Sequence, residues 1–137
     1  MTNIFVYGTL QNAEVVKALT GKSFKQIPYA LNNYKVLLVK GEHFPGMIKS
    51  RGSSTEGYIL YDVDRKALES IDKWEGINYT SITIKISLSG NEIEFMTYIW
   101  ADESKLEGNW SNEIYRTTHM RECVEKCIPQ ELGLTSS

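Results

Sequence analysis

Residues 79–100 read Tyr79-Thr80-Ser81-Ile82-Thr83-Ile84-Lys85-Ile86-Ser87-Leu88-Ser89-Gly90-Asn91-Glu92-Ile93-Glu94-Phe95-Met96-Thr97-Tyr98-Ile99-Trp100. Ile82, Ile84, Ile86 and Leu88 alternate with Ser81, Thr83, Lys85 and Ser87, the period of two that sets one strand face on a core and the other in water. Ser89-Gly90-Asn91 supplies turn chemistry, and residues 92–100 return with Ile93, Phe95 and Ile99 on the apolar side. The stretch predicts an antiparallel hairpin.

Upstream of the hairpin, Asp64 is placed to cap a short helix whose apolar face is Ala67, Leu68 and Ile71, and Trp74-Glu75-Gly76 ends it. Before that lies Glu56-Gly57-Tyr58-Ile59-Leu60-Tyr61, rich in β-favouring residues, preceded by Arg51-Gly52-Ser53-Ser54-Thr55, which reads as a flexible loop. Phe44-Pro45-Gly46-Met47-Ile48 predicts a turn into a short strand, and residues 33–41 predict another strand. Nearest the N-terminus, Asn3-Ile4-Phe5-Val6-Tyr7 predicts a buried strand stopped at Gly8-Thr9. A helix follows, with Asn12 as cap, Val15, Val16 and Leu19 on its apolar face, and Gly21 as a left-handed C-terminal cap.

Downstream, residues 112–128 switch to helical spacing, with Ile114, Tyr115, Cys123, Val124 and Cys127 able to cover one side of the sheet. Strands that come early, middle and late, with helices at irregular intervals, fit neither a βαβ alternation nor an all-β sandwich. The expectation is an α+β domain on a curved, mixed sheet. It covers residues 1–131 as a single domain, with 101–131 a C-terminal loop and helix packed on it and 132–137 a mobile end.

The composition narrows the function. A chain of 137 residues with 42% hydrophobic and 23% charged side chains suffices for one domain with a real core. Fifteen Lys and Arg against seventeen Asp and Glu give a net charge of −2, without the basic footprint of a nucleic-acid binder. No apolar run is long enough to span a bilayer, and the start lacks a signal peptide's basic flank, so a soluble cytoplasmic protein acting on a small molecule is expected. The string singles out no interface for an oligomer beyond the C-terminal helix. Cys123 and Cys127 are one helical turn apart and too few for a disulfide scaffold. His119 extends their stripe, but a closed metal site needs a fourth ligand, so the stripe is assigned to packing and no metal is expected.

Two segments could carry chemistry. In Tyr7-Gly8-Thr9-Leu10 a strand ends in a glycine turn before a helix, a geometry that aims backbone N–H groups at an anion; the bland alternative is a tight turn. In Asp72-Lys73-Trp74-Glu75-Gly76-Ile77-Asn78-Tyr79 a carboxylate sits between a large ring and a glycine, where desolvation would raise its pKa enough for proton transfer; the alternative is a solvated helix-end glutamate. Neither His43 nor His119 has a serine or cysteine in a recognisable nucleophile signature, and Ser53-Ser54 lies in the Gly-Ser stretch, which argues against a triad hydrolase.

Together these segments make the chain resemble the γ-glutamylcyclotransferase-like superfamily, in its AIG2-like and γ-glutamylamine cyclotransferase branch. Phe5 to Leu10, Phe44-Pro45-Gly46, Glu56 to Tyr61, Ile71 to Tyr79 and Tyr98-Ile99-Trp100 carry the resemblance, and the tail with Leu106, Gly108, Trp110, Tyr115 and Met120 is similar to the plant-type AIG2-like proteins. The resemblance implies a small mixed β-barrel-like curved sheet with flanking helices and a helical C-terminal segment, with no cofactor. It further implies that Tyr7, Gly8, Thr9 and Leu10 bind a γ-glutamyl moiety and that Glu75 accepts the proton. Tyr79 is either an orienting partner of Glu75 or a packing aromatic. Many relatives carry alanine after the proline where this chain has Gly46, which touches the adjacent wall. The implied reaction releases 5-oxoproline by attack of the substrate's own α-amine; a non-catalytic γ-glutamyl or carboxylate binder with the same fold is the rival reading.

Overall fold

The hairpin is present. Tyr79–Leu88 (β4) pairs with Asn91–Trp100 (β5) residue for residue, from Tyr79 opposite Trp100 to Leu88 opposite Asn91. The computed structural model describes residues 2–42, 44–76 and 78–128, excepting the side chains of Leu88 and Cys127. The expectations for His43, the Cys127 thiol and residues 129–137 therefore lie outside the described residues.

β5 differs from its expected one-sided pattern because Phe95, Thr97, Tyr98 and Trp100 are all buried, so both of its faces are covered. The cause is position. Thr2–Val6 (β1) runs parallel to β5 and antiparallel to Pro45–Val63 (β3), which pairs in turn with Gln26–Leu38 (β2). The order β2-β3-β1-β5-β4 makes β1 and β5 interior strands of a five-stranded mixed sheet. Interior strands read as apolar runs rather than as alternations.

Two expectations for the middle of the chain are corrected. β2 begins at Gln26, well ahead of residue 33, and Arg51–Thr55 does not separate two strands but lies inside β3. Asn32 pairs with Ser54 and Tyr34 with Lys49, so residues 50–53 bulge out of an otherwise continuous ladder. Asn33 (φ 71°) and Gly52 (φ 86°) take the left-handed turns this needs, the Ser50 and Ser53 hydroxyls bond at 2.9 Å, and Gly52 N–H donates to Asn33 Oδ1 at 3.3 Å. The sequence signal for a loop was the signal for a bulge.

On one face of the sheet, Ile4, Val6, Leu60 and Tyr98 meet Ala13–Thr20 (α1) through Val15, Val16 and Leu19, Arg65–Glu75 (α2) through Ala67 and Ile71, and the C-terminal segment through Tyr115, Cys123 and Ile128. The other face is aromatic: Phe5, Tyr7 and Phe95 gather with Leu31, Met47 and Ile59. Tyr29 of β2 lies edge-on to Phe95 of β5, centroids 6.0 Å apart, although β3 and β1 stand between those strands. Flat spacing would hold them about 14 Å apart. The sheet therefore curls strongly around this second cluster while its edge strands stay unpaired with each other, an open form of the barrel-like sheet.

Asp64 caps α2 as expected, its Oδ1 accepting the Ala67 N–H at 2.8 Å, and Gly76 terminates it. Asn12 precedes α1, but its side chain makes no cap bond. The single C-terminal helix is also corrected. It divides into Asn112–Thr118 (α3), Met120–Glu122 (α4) and a wider coil over Cys123–Cys127. Thr117 and Thr118 donate back to the carbonyls of Glu113 (3.0 Å) and Ile114 (2.5 Å), a pattern that bends helices, and the break falls at His119. No helix among the described residues is long and apolar enough to cross a membrane.

Candidate active site

Tyr7 leaves β1 buried, and its hydroxyl donates to the carbonyl of Tyr98 at 2.6 Å, fixing the strand end. Thr9–Gln11 then forms one tight turn whose first internal bond runs from Gln11 N–H to Gly8 C=O at 3.1 Å. The amides of Gly8, Thr9 and Leu10 precede that bond and have no acceptor within the turn. Gly8 is required by contact: a β-carbon there would lie 2.9 Å from Pro45 Cγ. The glycine turn and the Pro45 wall thus pack face to face.

Glu75 stands in the last turn of α2, half-buried. Burial raises its pKa to about 8, and the charge of Asp72 adds to the effect. Tyr7, Tyr79 and Tyr98 are each pushed upward, first by burial and also by Glu75, so three phenols from three strands surround this carboxylate and stay protonated. Of the two readings of Tyr79, an orienting bond to Glu75 is not made by its proton. The hydroxyl donates to the Pro45 carbonyl at 2.6 Å, and the ring stands edge-on to Trp100, centroids 5.0 Å apart. Tyr79 therefore buttresses the Pro45 wall.

Tyr7, Gly8, Thr9, Leu10, Glu75 and Tyr79, singled out from sequence, all line one cavity of about 460 Å³. The sequence reading also set Phe44 and Pro45 at the adjacent wall; it missed Glu42, Tyr98 and the tail residues. Tyr98 was read only as part of the hairpin because β5 is buried on both faces, Tyr115, His119 and Cys123 were read as packing residues, and Glu122 was not singled out. The mixed chemistry of the His119, Glu122, Cys123 face, unlike a plain Leu or Ile stripe, was the available signal. Among the described residues no group of three His, Cys, Asp or Glu could hold a metal ion.

Asn12 explains why the tail reaches the cavity. Fully buried, it donates to Thr9 C=O at 3.0 Å and to Asn112 Oδ1 at 2.8 Å, while its own Oδ1 accepts from Arg116 at 2.8 Å and Asn112 at 3.2 Å. Arg116 also pairs with Glu14 at 3.0 Å. The residue expected to cap α1 instead clamps α3 beside the glycine turn.

Residues 4–114 match the family model described as γ-glutamyl cyclotransferase, AIG2-like. The chain belongs to that family. Within the AIG2-like family it is 31% identical to Protein AIG2 B of Arabidopsis thaliana over 127 residues, covering 90% of this chain and 75% of that one. With AIG2-like protein D of the same plant it shares 26% identity across 100% of this chain and 95% of the relative. The fold is shared with an Arabidopsis thaliana protein solved in solution (TM-score 0.68, 23% identity, 98% of this chain and 93% of that one). It is shared also with a solved γ-glutamyl cyclotransferase (TM-score 0.62, 19% identity, 78% and 69%).

Proposed function

We propose that this AIG2-like chain is a γ-glutamylcyclotransferase-type enzyme that releases 5-oxoproline from a γ-glutamyl amine or γ-glutamyl amino acid, with Glu75 as general base and then acid. The observation that carries the reading is a single carboxyl group with a pKa of about 8, lining the same cavity as the Tyr7 to Leu10 turn. The turn's amides would hold the substrate's α-carboxylate, which points the α-nitrogen at the γ-carbonyl. Glu75 takes a proton from the ammonium, the freed nitrogen attacks, and a ring C–N bond forms. The amide C–N bond then breaks as Glu75 returns its proton to the departing amine, and the second proton lost by the ring nitrogen passes to that amine, which leaves as an ammonium. Atoms balance with no water and no cofactor.

The raised pKa suits both halves of the task. At pH 7 about one enzyme in ten carries ionised Glu75 before substrate binds. An arriving ammonium stabilises that charge, and the desolvated carboxylate is a stronger base than an exposed one. The test is 5-oxoproline formation from a panel of γ-glutamyl amines and amino acids by wild type and Glu75→Gln. Release by wild type with its loss in the variant supports the reading. Binding of γ-glutamyl ligands without turnover by either protein would favour a binding module.

A further inference from the structure

α2 carries a second carboxylate that the reaction above does not use. Asp72 and Glu75 are three residues apart and share a helix face. Asp72 is exposed, yet its Oδ1 accepts a hydrogen bond from the hydroxyl of Tyr98, a residue of interior strand β5 that is only 6% exposed. Tyr98 also lends its carbonyl to the Tyr7 hydroxyl at 2.6 Å. One β5 residue is therefore bonded both to the helix turn that ends in Glu75 and to the tyrosine that opens the glycine turn.

We propose that Asp72 and Tyr98 are a positioning pair, in which the Tyr98–Asp72 hydrogen bond pins the final turn of α2 to β5 and so fixes Glu75 relative to the Tyr7 to Leu10 turn. The inference rests on Glu75 being the proton carrier. A tether at this place has leverage because Gly76, at φ 83°, ends the helix immediately after Glu75. Ile71 and Trp74 hold the turn only through apolar contact, which fixes distance better than direction. The pair also holds a negative charge on the face of Glu75, and that charge supports its proton affinity after burial itself.

The other groups around Glu75 leave Asp72 a distinct part. β1, β4 and β5 present the neutral phenols of Tyr7, Tyr79 and Tyr98; the segment before β3 presents Glu42; the C-terminal helices present Tyr115, His119, Glu122 and Cys123. No Lys or Arg lines the cavity among the described residues. The charge of Asp72 acts on Glu75 after burial and in the same direction.

The experiment has two readouts. In ¹³C NMR of the substrate-free protein, with the Glu75 carboxyl assigned by its loss in Glu75→Gln, Asp72→Asn should lower the Glu75 titration midpoint by about half to one unit, burial keeping the remainder. Tyr98→Phe keeps ring and charge but frees the turn, so kcat should fall about tenfold with KM within about twofold of wild type. An unmoved midpoint in Asp72→Asn, or wild-type kcat in Tyr98→Phe, overturns the pairing, and a change in melting temperature alone marks it as structural only. If wild type releases no 5-oxoproline from any substrate, the enzyme reading fails, whereas the titration midpoint still decides whether Asp72 acts on Glu75.

Discussion

The cavity has one wall made of sequence neighbours and another made of distant ones. Tyr7 to Leu10 follow interior strand β1 into a helix, and Asp72 to Glu75 with Tyr79 stand where α2 passes to edge strand β4, held by bonds such as Tyr7 to Tyr98 and Tyr79 to Pro45. Tyr115, His119, Glu122 and Cys123 come from a bent tail held by the core packing of Tyr115, Cys123 and Ile128 and by the Asn12, Asn112, Arg116 and Glu14 bonds, each joining residues a hundred or more positions apart. The difference teaches a division of labour. On the proposed function, the groups that would handle the shared γ-glutamyl half stand on the rigid junction wall, and the tail wall would bound the variable leaving group.

The sharpest way to break that division is to attack the rigid wall. Glu75→Gln should cost a hundredfold to ten-thousandfold in kcat, about 3–5 kcal/mol, while affinity for a γ-glutamyl ligand changes little; steady-state kinetics beside calorimetric binding checks it. The same substitution reads out in stability. A carboxyl whose pKa rises from 4.5 to about 8 on folding contributes stability fully present below about pH 4.5 and lost as pH rises through 8. Glu75→Gln removes that loss, so its melting temperature should gain on wild type between pH 5 and 9, by the equivalent of a few kcal/mol at most.

Asn12→Ala attacks the tail wall. It removes the Asn112 and Arg116 bonds to Asn12 while leaving the Arg116–Glu14 pair, should cost about 1–2 kcal/mol of stability, and should raise KM for bulky leaving groups more than it lowers kcat. Gly8→Ala crowds Pro45 and should cost about 1–3 kcal/mol, raising KM for every substrate alike because the γ-glutamyl half is common to all. Chelators should do nothing to melting temperature or turnover; stoichiometric zinc bound through His119 and Cys123 would mean that the tail wall has chemistry of its own.

The same contrast governs what could be read from the string. β1, the α2 cap at Asp64 and the β4–β5 hairpin were legible because each is dictated by residues within a few positions: a β-favouring run, an Asp three residues ahead of the amide it accepts, and a strict alternation. The two junction segments were singled out as local patterns, a glycine turn after a strand and a Glu between a Trp and a Gly, and their proposed roles came from the family resemblance. Gly52 with two serines looked like a loop because bulge and loop need the same left-handed backbone, and only pairing to β2 across the sheet distinguishes them. Asn12 looked like a cap because Asn is a good cap; its clamp partners lie a hundred residues away, where no local pattern reaches. Tyr98 was not chosen as a site residue because its environment is set by β1 and α2 together.

The central claim is that a desolvated Glu75 moves the proton, and the pH dependence of kcat/KM for 5-oxoproline release tests it most directly. Wild type should show a rising limb with a midpoint near 8, absent from Glu75→Gln. A midpoint in the ordinary carboxylate range, or the same limb in both proteins, would contradict it.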